Sequence, residues 1–504
     1  MAAALHHRDP DASGQSTIDN VGLAHTRLAL LGLGDCGVKP IFYAQHGDRF
    51  YFASEAKAIL AAGYPAETDI EIFRHHLTNQ WCHGRATPFA GIFKVLPGER
   101  LEIDLETLEL EHIQWCRLSD WTDSDYAAEL AALPYADLVR LVEHHFQRAV
   151  RRRLLADVPV ATFCSDGVDS SLVTSFAAGE QENQQAFVIQ PLDDPDSDES
   201  GYAQQVYDRA GAPLNRAPFD SATWRDAFLK SIPHFENPLW IEPSMGYSIV
   251  AETITAAGFK AALGGDAADE LFGGYDYRYP EERRAFAAEI GRPALDIRTE
   301  MEIVPIEPDV TKAFRHPGTA PESEREFLES TEAESRQAYA HHDGARSALE
   351  SHIMAEMRLH MAIAFDQQDK ATMRSSLEYR EPFLDTDLVR LVVNLPLEAK
   401  IFPEIKAILR DAARPHLPEP VLTRKKLGFT YNTDHLLEER IRPSFYTNTI
   451  LEQILGVKSK KVAKWFEPGR GRATFRVCSA EIWLRHFIEG ESIEEIGEAL
   501  WVDQ

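Results

Sequence analysis

Two short stretches of this 504-residue chain carry residues suited to chemistry. The first is FCSDGVDSSLV at 163–173, where the apolar run VPVATF ends in a small-residue turn and a helical pattern begins. A strand that turns into a helix in this way points several backbone N–H groups at one spot. The helix dipole adds partial positive charge there, so an anion is favoured. Ser165, Ser170 and Ser171 can add hydroxyl donors for phosphate oxygens, and Asp169 can hold a metal. No Gly-Lys-Ser/Thr follows, so this is not a Walker A loop. The alternative is a serine-rich helix cap with no ligand.

The second stretch, KAALGGDAADELFGGY at 260–275, is another strand, glycine turn and helix start, now with Asp266, Asp269 and Glu270. Acids beside a phosphate loop repel the phosphate unless a cation lies between them. Mg²⁺ takes one or two carboxylates together with phosphate oxygens, and Asp169 with Asp269 is the expected pair. The dipole of the helix could instead satisfy these acids, most plausibly Glu270.

The elements that must position these loops follow from periodicity. LVRLVEHHFQRAVRRRLL, from 138, has helical spacing, VPVATFC and QAFVIQPL read as buried strands, and FKAALGG follows a helical 246–257. Strands alternating with helices predict a parallel α/β sheet. Residues 280–460 read as mostly helical, and the charge-rich 320–350 as solvated helix. Residues 1–120 read as short strands, among them RLALLGL, ERLEIDL and LEHIQW, with QHGDRF as a hairpin turn. The expected division is 1–120 β-rich, 121–135 linker and 136–504 α/β with a helical C-terminal part. The basic cluster RRR at 151–153 is assigned no function.

These residues resemble a known family. SDGVDSS is similar to the SGG(I/V/L)DSS pyrophosphate loop of N-type ATP pyrophosphatases. GGDAADELFGGY resembles the SG(D/E)GxDE(L/V)FGGY loop of glutamine-hydrolysing asparagine synthetases. DKATMRSSLEYREPFLD (369–385), KAILRDAARPHLP (406–418) and TRKKLGF (423–429) continue the resemblance. It implies an ATP- and Mg²⁺-dependent, AMP-forming amide ligase, aspartate being the family's usual carboxylate. Ser165, Gly167, Asp169, Ser170 and Ser171 would hold pyrophosphate, and Phe163, Ile189, Gly264 and Gly265 would line the nucleotide pocket. Asp266 would act as a base for the incoming amine or position it. Glu378 would be catalytic, Lys426 would neutralise transition-state charge, and Arg380 and Lys406 would touch substrate or phosphate, or form structural salt bridges. Asp166 departs from the family's glycine.

LHHRDPDASG (5–14), DCGVKPIFYA (35–44), FASEAKAIL (52–60) and VLPGERLEID (95–104) resemble that family's N-terminal nucleophile-type glutaminase domain. No cysteine precedes the first of these, and RLALLGLGDCGVKP joins two motifs that the family separates by its glutamine-binding stretch. The domain is therefore expected to be degenerate and without glutaminase activity. The nitrogen would be ammonia, ammonia from another protein, or an amine. An intramolecular amide synthetase forming a β-lactam or macrolactam, or a non-catalytic nucleotide-binding member, is the alternative. A homodimer is a further expectation.

Composition narrows the remaining classes. A formal charge of −28 argues against bulk nucleic-acid binding. No apolar run approaches the roughly 20 residues of a membrane span, and the N-terminus lacks a secretory layout. Five scattered cysteines, Cys36, Cys82, Cys116, Cys164 and Cys478, fit reduced thiols and a cytoplasmic setting.

Overall fold

In the computed structural model the described residues are 2–5, 7–8, 12–18, 21–27, 39–79, 81, 83–165, 167–194, 198, 200–239, 243–275, 278–293, 321–424, 437, 440–447, 449–456 and 471–502. Five parallel strands form the central sheet: β8 (Val160–Phe163), β9 (Ala186–Pro191), β10 (Leu214–Phe219), β11 (Ala261–Leu263) and β12 (Glu378–Arg380). Their order across the sheet is β10-β9-β8-β11-β12. The chain steps outward from β8 to β10, then returns to β11 on the other side of β8. Such a reversal opens a crevice at the carboxyl ends of the two central strands.

The three strands read from apolar runs are β8, β9 and β11. The other two lie at the edges and have weaker signals. LNRAPF (β10) carries Pro218, which an edge strand tolerates. EYR (β12) is only three residues long, inside a region read as helical. The helix Tyr135–Arg153 packs one stripe, Leu138, Val142, Phe146, Ala149 and Val150, against this sheet region. Its basic end is structural: Arg151 pairs with Glu180 at 2.8 Å, and Arg152 with Asp385 at 3.0 Å and Asp387 at 2.7 Å. The helix Glu322–Ala338 is not wholly solvated, since Glu324, Phe327, Thr331 and Ser335 are buried along one side.

Before the sheet, β1 (Ala12–Ile18) pairs with β2 (Val21–Arg27), and β4 (Arg49–Ala53), β3 (Phe42–His46) and β5 (Ile92–Lys94) form a second sheet. β6 (Glu99–Ile103) pairs with β7 (Leu110–Gln114). The expected Gly-Asp turn closes β3 onto β4, with Gly47 at φ +60°. Of the strand expected in RLALLGL, Arg27 ends β2 and the rest lies outside the described residues. The stretch 121–135 holds a helix, Ser124–Ala131, capped by Asp123, whose carboxylate accepts from Asp125 N and Tyr126 N.

The front of the chain does not stand apart. Phe73 and Phe89 pack on Trp483, from the helix Gly471–Phe487, and the Trp483 indole donates to Glu236 O at 2.9 Å. A buried ionic network reinforces this. Arg8 joins Glu55 at 3.0 Å to Asp369 at 2.6 Å, and Lys39 reaches Asp369 at 2.7 Å. Glu236 accepts from Ala56 N at 3.0 Å and Lys57 N at 2.6 Å, and lies 3.5 Å from Lys370. No helix among the described residues is long and apolar enough to cross a membrane.

Candidate active site

β8 ends at Phe163, and the helix Val168–Glu180 begins after a short loop. Within it, Ser165 N–H donates to Ser170 Oγ at 3.0 Å, the two hydroxyls are 2.8 Å apart, and Gly167 N–H donates to Ser165 Oγ at 3.2 Å. The serines thus hold the loop's shape as well as facing the cavity. Ser171 is fully buried and does not line it. Asp166 lies outside the described residues.

The second loop leaves β11 through Gly264 and Gly265. A Cβ on Gly265 would come within 2.8 Å of Ser170 Cα, so the two loops meet backbone against backbone. A Cβ on Gly264 would fall 2.7 Å from Tyr379 Cε2, so this glycine makes room for that ring rather than for a ligand. Beyond them, Asp266 accepts from Tyr247 Oη at 2.9 Å and from Tyr379 Oη. Burial raises the Asp266 pKa, and the two phenols oppose that rise.

Among the described residues, Lys406 joins the loops. Lys406 Nζ lies 2.6 Å from Asp169 Oδ2 and 2.7 Å from Asp269 Oδ1. Next to it, Glu270 is buried and accepts from Tyr275 Oη at 2.7 Å, with His360 Nε2 3.5 Å away. Burial, then the nearby Asp269 charge, pushes Glu270 up to about 7, and burial pushes His360 down to about 4.

These groups surround a cavity of ≈ 280 Å³. Of the sequence-read residues, Phe163, Ser165, Gly167, Asp169, Ser170 and Ile189 line it from the first loop and β9. Gly265, Asp266, Asp269 and Lys406 line it from the other side. Tyr247, Tyr275, His360, Tyr379, Arg410 and Arg424 also line it and were not read from sequence. Arg410 and Arg424 do fall in the stretches KAILRDAARPHLP and TRKKLGF. Tyr275 and Tyr379 likewise fall in KAALGGDAADELFGGY and DKATMRSSLEYREPFLD, whereas Tyr247 and His360 lie in no such stretch and only the tertiary fold brings them here.

Glu378 and Arg380 are placed away from the cavity. In the parallel register Glu378 stands opposite Ala261 and Arg380 opposite Leu263, so Glu378 is at the amino end of β12. At 3.3 Å per residue this puts it roughly two residues short of the site. Glu381, just past β12, is the carboxyl group at the site end. It is buried and pushed up to about 8 by burial, opposed by Lys39 and assisted by Asp266. Arg380 donates to Arg153 O at 2.8 Å and Leu155 O at 2.9 Å and pairs with Glu378 at 3.2 Å, a structural role. Lys426 lies outside the described residues.

The Asp169 and Asp269 carboxylates fit a divalent cation in one respect that can be checked. Among the described residues, Asp169 Oδ1 is buried without a hydrogen-bond partner while Oδ2 is held by Lys406, so one acceptor oxygen of this cavity-lining acid is left over. Two carboxylates beside a phosphate-binding loop are the donor set Mg²⁺ uses.

Comparison with known proteins agrees with this geometry. The asparagine synthase family model matches residues 141–487, and a glutamine amidotransferase domain model matches 34–115. The glutamine-hydrolysing asparagine synthetase 3 of Bacillus subtilis is 29% identical over 454 residues, covering 84% of this chain and 67% of the relative. Asparagine synthetase 1 of the same organism is 26% identical, covering 80% and 66%. The amidase chyE of Penicillium rubens is 25% identical, covering 81% and 68%. The chain therefore spans about two thirds of the length of these relatives.

Proposed function

The chain belongs to the asparagine synthase family, and we propose that it is an ATP-dependent amide ligase that releases AMP and pyrophosphate. The observation that carries this reading is the facing of the two loops across one cavity, with Asp169 and Asp269 joined by Lys406. Ser165, Gly167 and Ser170 would hold the pyrophosphate with the helix start behind them, and Phe163 and Ile189 would flank the nucleotide. Mg²⁺, held by Asp169 and Asp269, would offset phosphate charge. Lys406 and Lys426 would supply further cations to the same charge. The substrate carboxylate, aspartate by family default, would attack the α-phosphorus, the bond to the β-phosphate oxygen breaking and pyrophosphate leaving with the bonding pair. An amine would then attack the acyl carbon, and AMP would leave with the bonding pair. Asp266 would take the amine's proton.

The nitrogen is proposed to be ammonia or an amine rather than glutamine. Arg8, Lys39 and Glu55, from the glutaminase-like motifs, are engaged in the buried ionic network described above. Among the described cysteines, burial raises the thiols of Cys164 and Cys478, the opposite of nucleophile activation. The test is asparagine formation from ATP, Mg²⁺ and aspartate with ammonium chloride or with glutamine. Product with ammonium alone supports the reading, and equal product with glutamine overturns its nitrogen source.

A further inference from the structure

Building on the ligase reading, we propose that Tyr379 and Tyr247 are positioning residues that hold Asp266 as an ionised acceptor aimed at the nitrogen nucleophile. Each carboxylate oxygen has its own phenol: Tyr247 Oη donates to Oδ1 at 2.9 Å, and Tyr379 Oη donates to Oδ2. The direction of the first bond is fixed from outside. Gln368 Nε2 donates to Tyr247 Oη at 3.3 Å, so the hydroxyl proton is left for Asp266.

The rings are held as firmly as the hydroxyls. Phe163 packs edge-on to Tyr379 at 5.0 Å, Tyr247 meets Tyr379 edge-on at 5.9 Å, and Phe163 lies 5.9 Å from Tyr247. Gly264 and Tyr379 form a matched pair, because any side chain at 264 would occupy the space of the phenol. Both tyrosines line the cavity, and both spend their hydroxyls on Asp266.

Two donors behind a carboxylate leave its remaining lone pairs facing the cavity that Asp266 lines. The neighbouring groups make that help necessary. Burial, and then the Asp169 charge, favour the neutral acid, and Glu270 and Glu381 are further acids whose own charge Asp266 opposes. The two phenols, with Gln368 behind them, counter this, and the phenols do so only while they donate. In the amide-forming step the amine nitrogen bonds to the acyl carbon, the bond to the AMP oxygen breaks, and the N–H proton passes to Asp266.

The test uses the full chain carrying Tyr379→Phe or Tyr247→Phe, which keep the ring packing and are checked by urea midpoint. With ATP, Mg²⁺ and aspartate, ATP–pyrophosphate exchange is expected to fall clearly less than amide formation. Amide formation from ammonium chloride should fall about tenfold or more, its acid limb moving about one pH unit upward. Equal losses in both reactions, or an unmoved acid limb, overturn the proposal. A second arm needs no substrate: the Asp266 carboxylate band in infrared titration, assigned by its loss in Asp266→Asn. It should titrate at higher pH in Tyr379→Phe, and an unmoved band overturns the clamp. If wild type shows no exchange, the ligase reading fails, and this second arm still decides the clamp.

Discussion

The ammonium of Lys406 lies 2.6 Å from the carboxylate of Asp169, and the same nitrogen lies 2.7 Å from Asp269. These acids come from the helix after β8 and the short helix Ala268–Phe272 after β11, so this one side chain ties the two loops across the cavity. Lys406→Met removes the shared cation and leaves two largely buried carboxylates facing each other. The expected cost is about 3–5 kcal/mol. Mg²⁺ should recover part of it by replacing the lost charge. Urea midpoints with and without MgCl₂ check this, and a loss that Mg²⁺ does not relieve would count against the metal pair.

Gly265→Ala places a methyl group against the backbone of Ser170. The loops must separate, and the serine hydroxyls move from the cavity. ATP affinity is expected to fall at least about tenfold while the circular dichroism spectrum stays native, since the contact is local to the site. Calorimetric titration with ATP and Mg²⁺ measures it.

Arg8 is buried between Glu55 and Asp369. Arg8→Ala breaks the link between the two acids but leaves Lys39 on Asp369 and Lys57 on Glu55, and is expected to cost about 1–3 kcal/mol. The residues before 120 share a core with Trp483, so far-UV dichroism and tryptophan fluorescence should unfold in one coincident transition. Two separated transitions would show that the front region folds alone.

Glu381 has a folded pKa of about 8 against an ordinary 4.5. Its neutral form suits the fold, so its contribution is fully present below pH 4.5 and is lost as pH rises toward 8. Glu381→Gln has no such charge to bury. The variant should match wild type near pH 4.5 and gain on it steadily up to pH 8, by up to about 1.4 kcal/mol per pH unit. Urea midpoints at pH 5, 6.5 and 8 give the slope. His76 works in the opposite direction: buried and held to about 4, it withdraws stability as pH falls from 6.5 toward 4.

The loops were legible because their signals are local. A strand, a small-residue turn and a helix start lie within a dozen residues, and the acids of 266–270 are contiguous. What escaped the sequence depends on register and long-range packing. The resemblance placed Glu378 in the site, whereas the three residues of parallel pairing put it at the end of β12 away from the loops. Arg380 looked like a ligand contact, yet the carbonyls of Arg153 and Leu155 occupy its donors. Tyr247 lies in no motif, and Tyr379, though inside DKATMRSSLEYREPFLD, was not singled out because its partner, Asp266, lies on another element. The ionic network likewise joins motifs at 8, 39, 55 and 369 that a linear reading treats separately.

The most direct measurement of the central claim is the fate of α-labelled ATP with Mg²⁺, aspartate and ammonium chloride, for wild type and Asp169→Ala. The account predicts AMP, pyrophosphate and amide in equal amounts from wild type and none from the variant. ADP and phosphate as products, no AMP at all, or AMP formation that survives Asp169→Ala would contradict it.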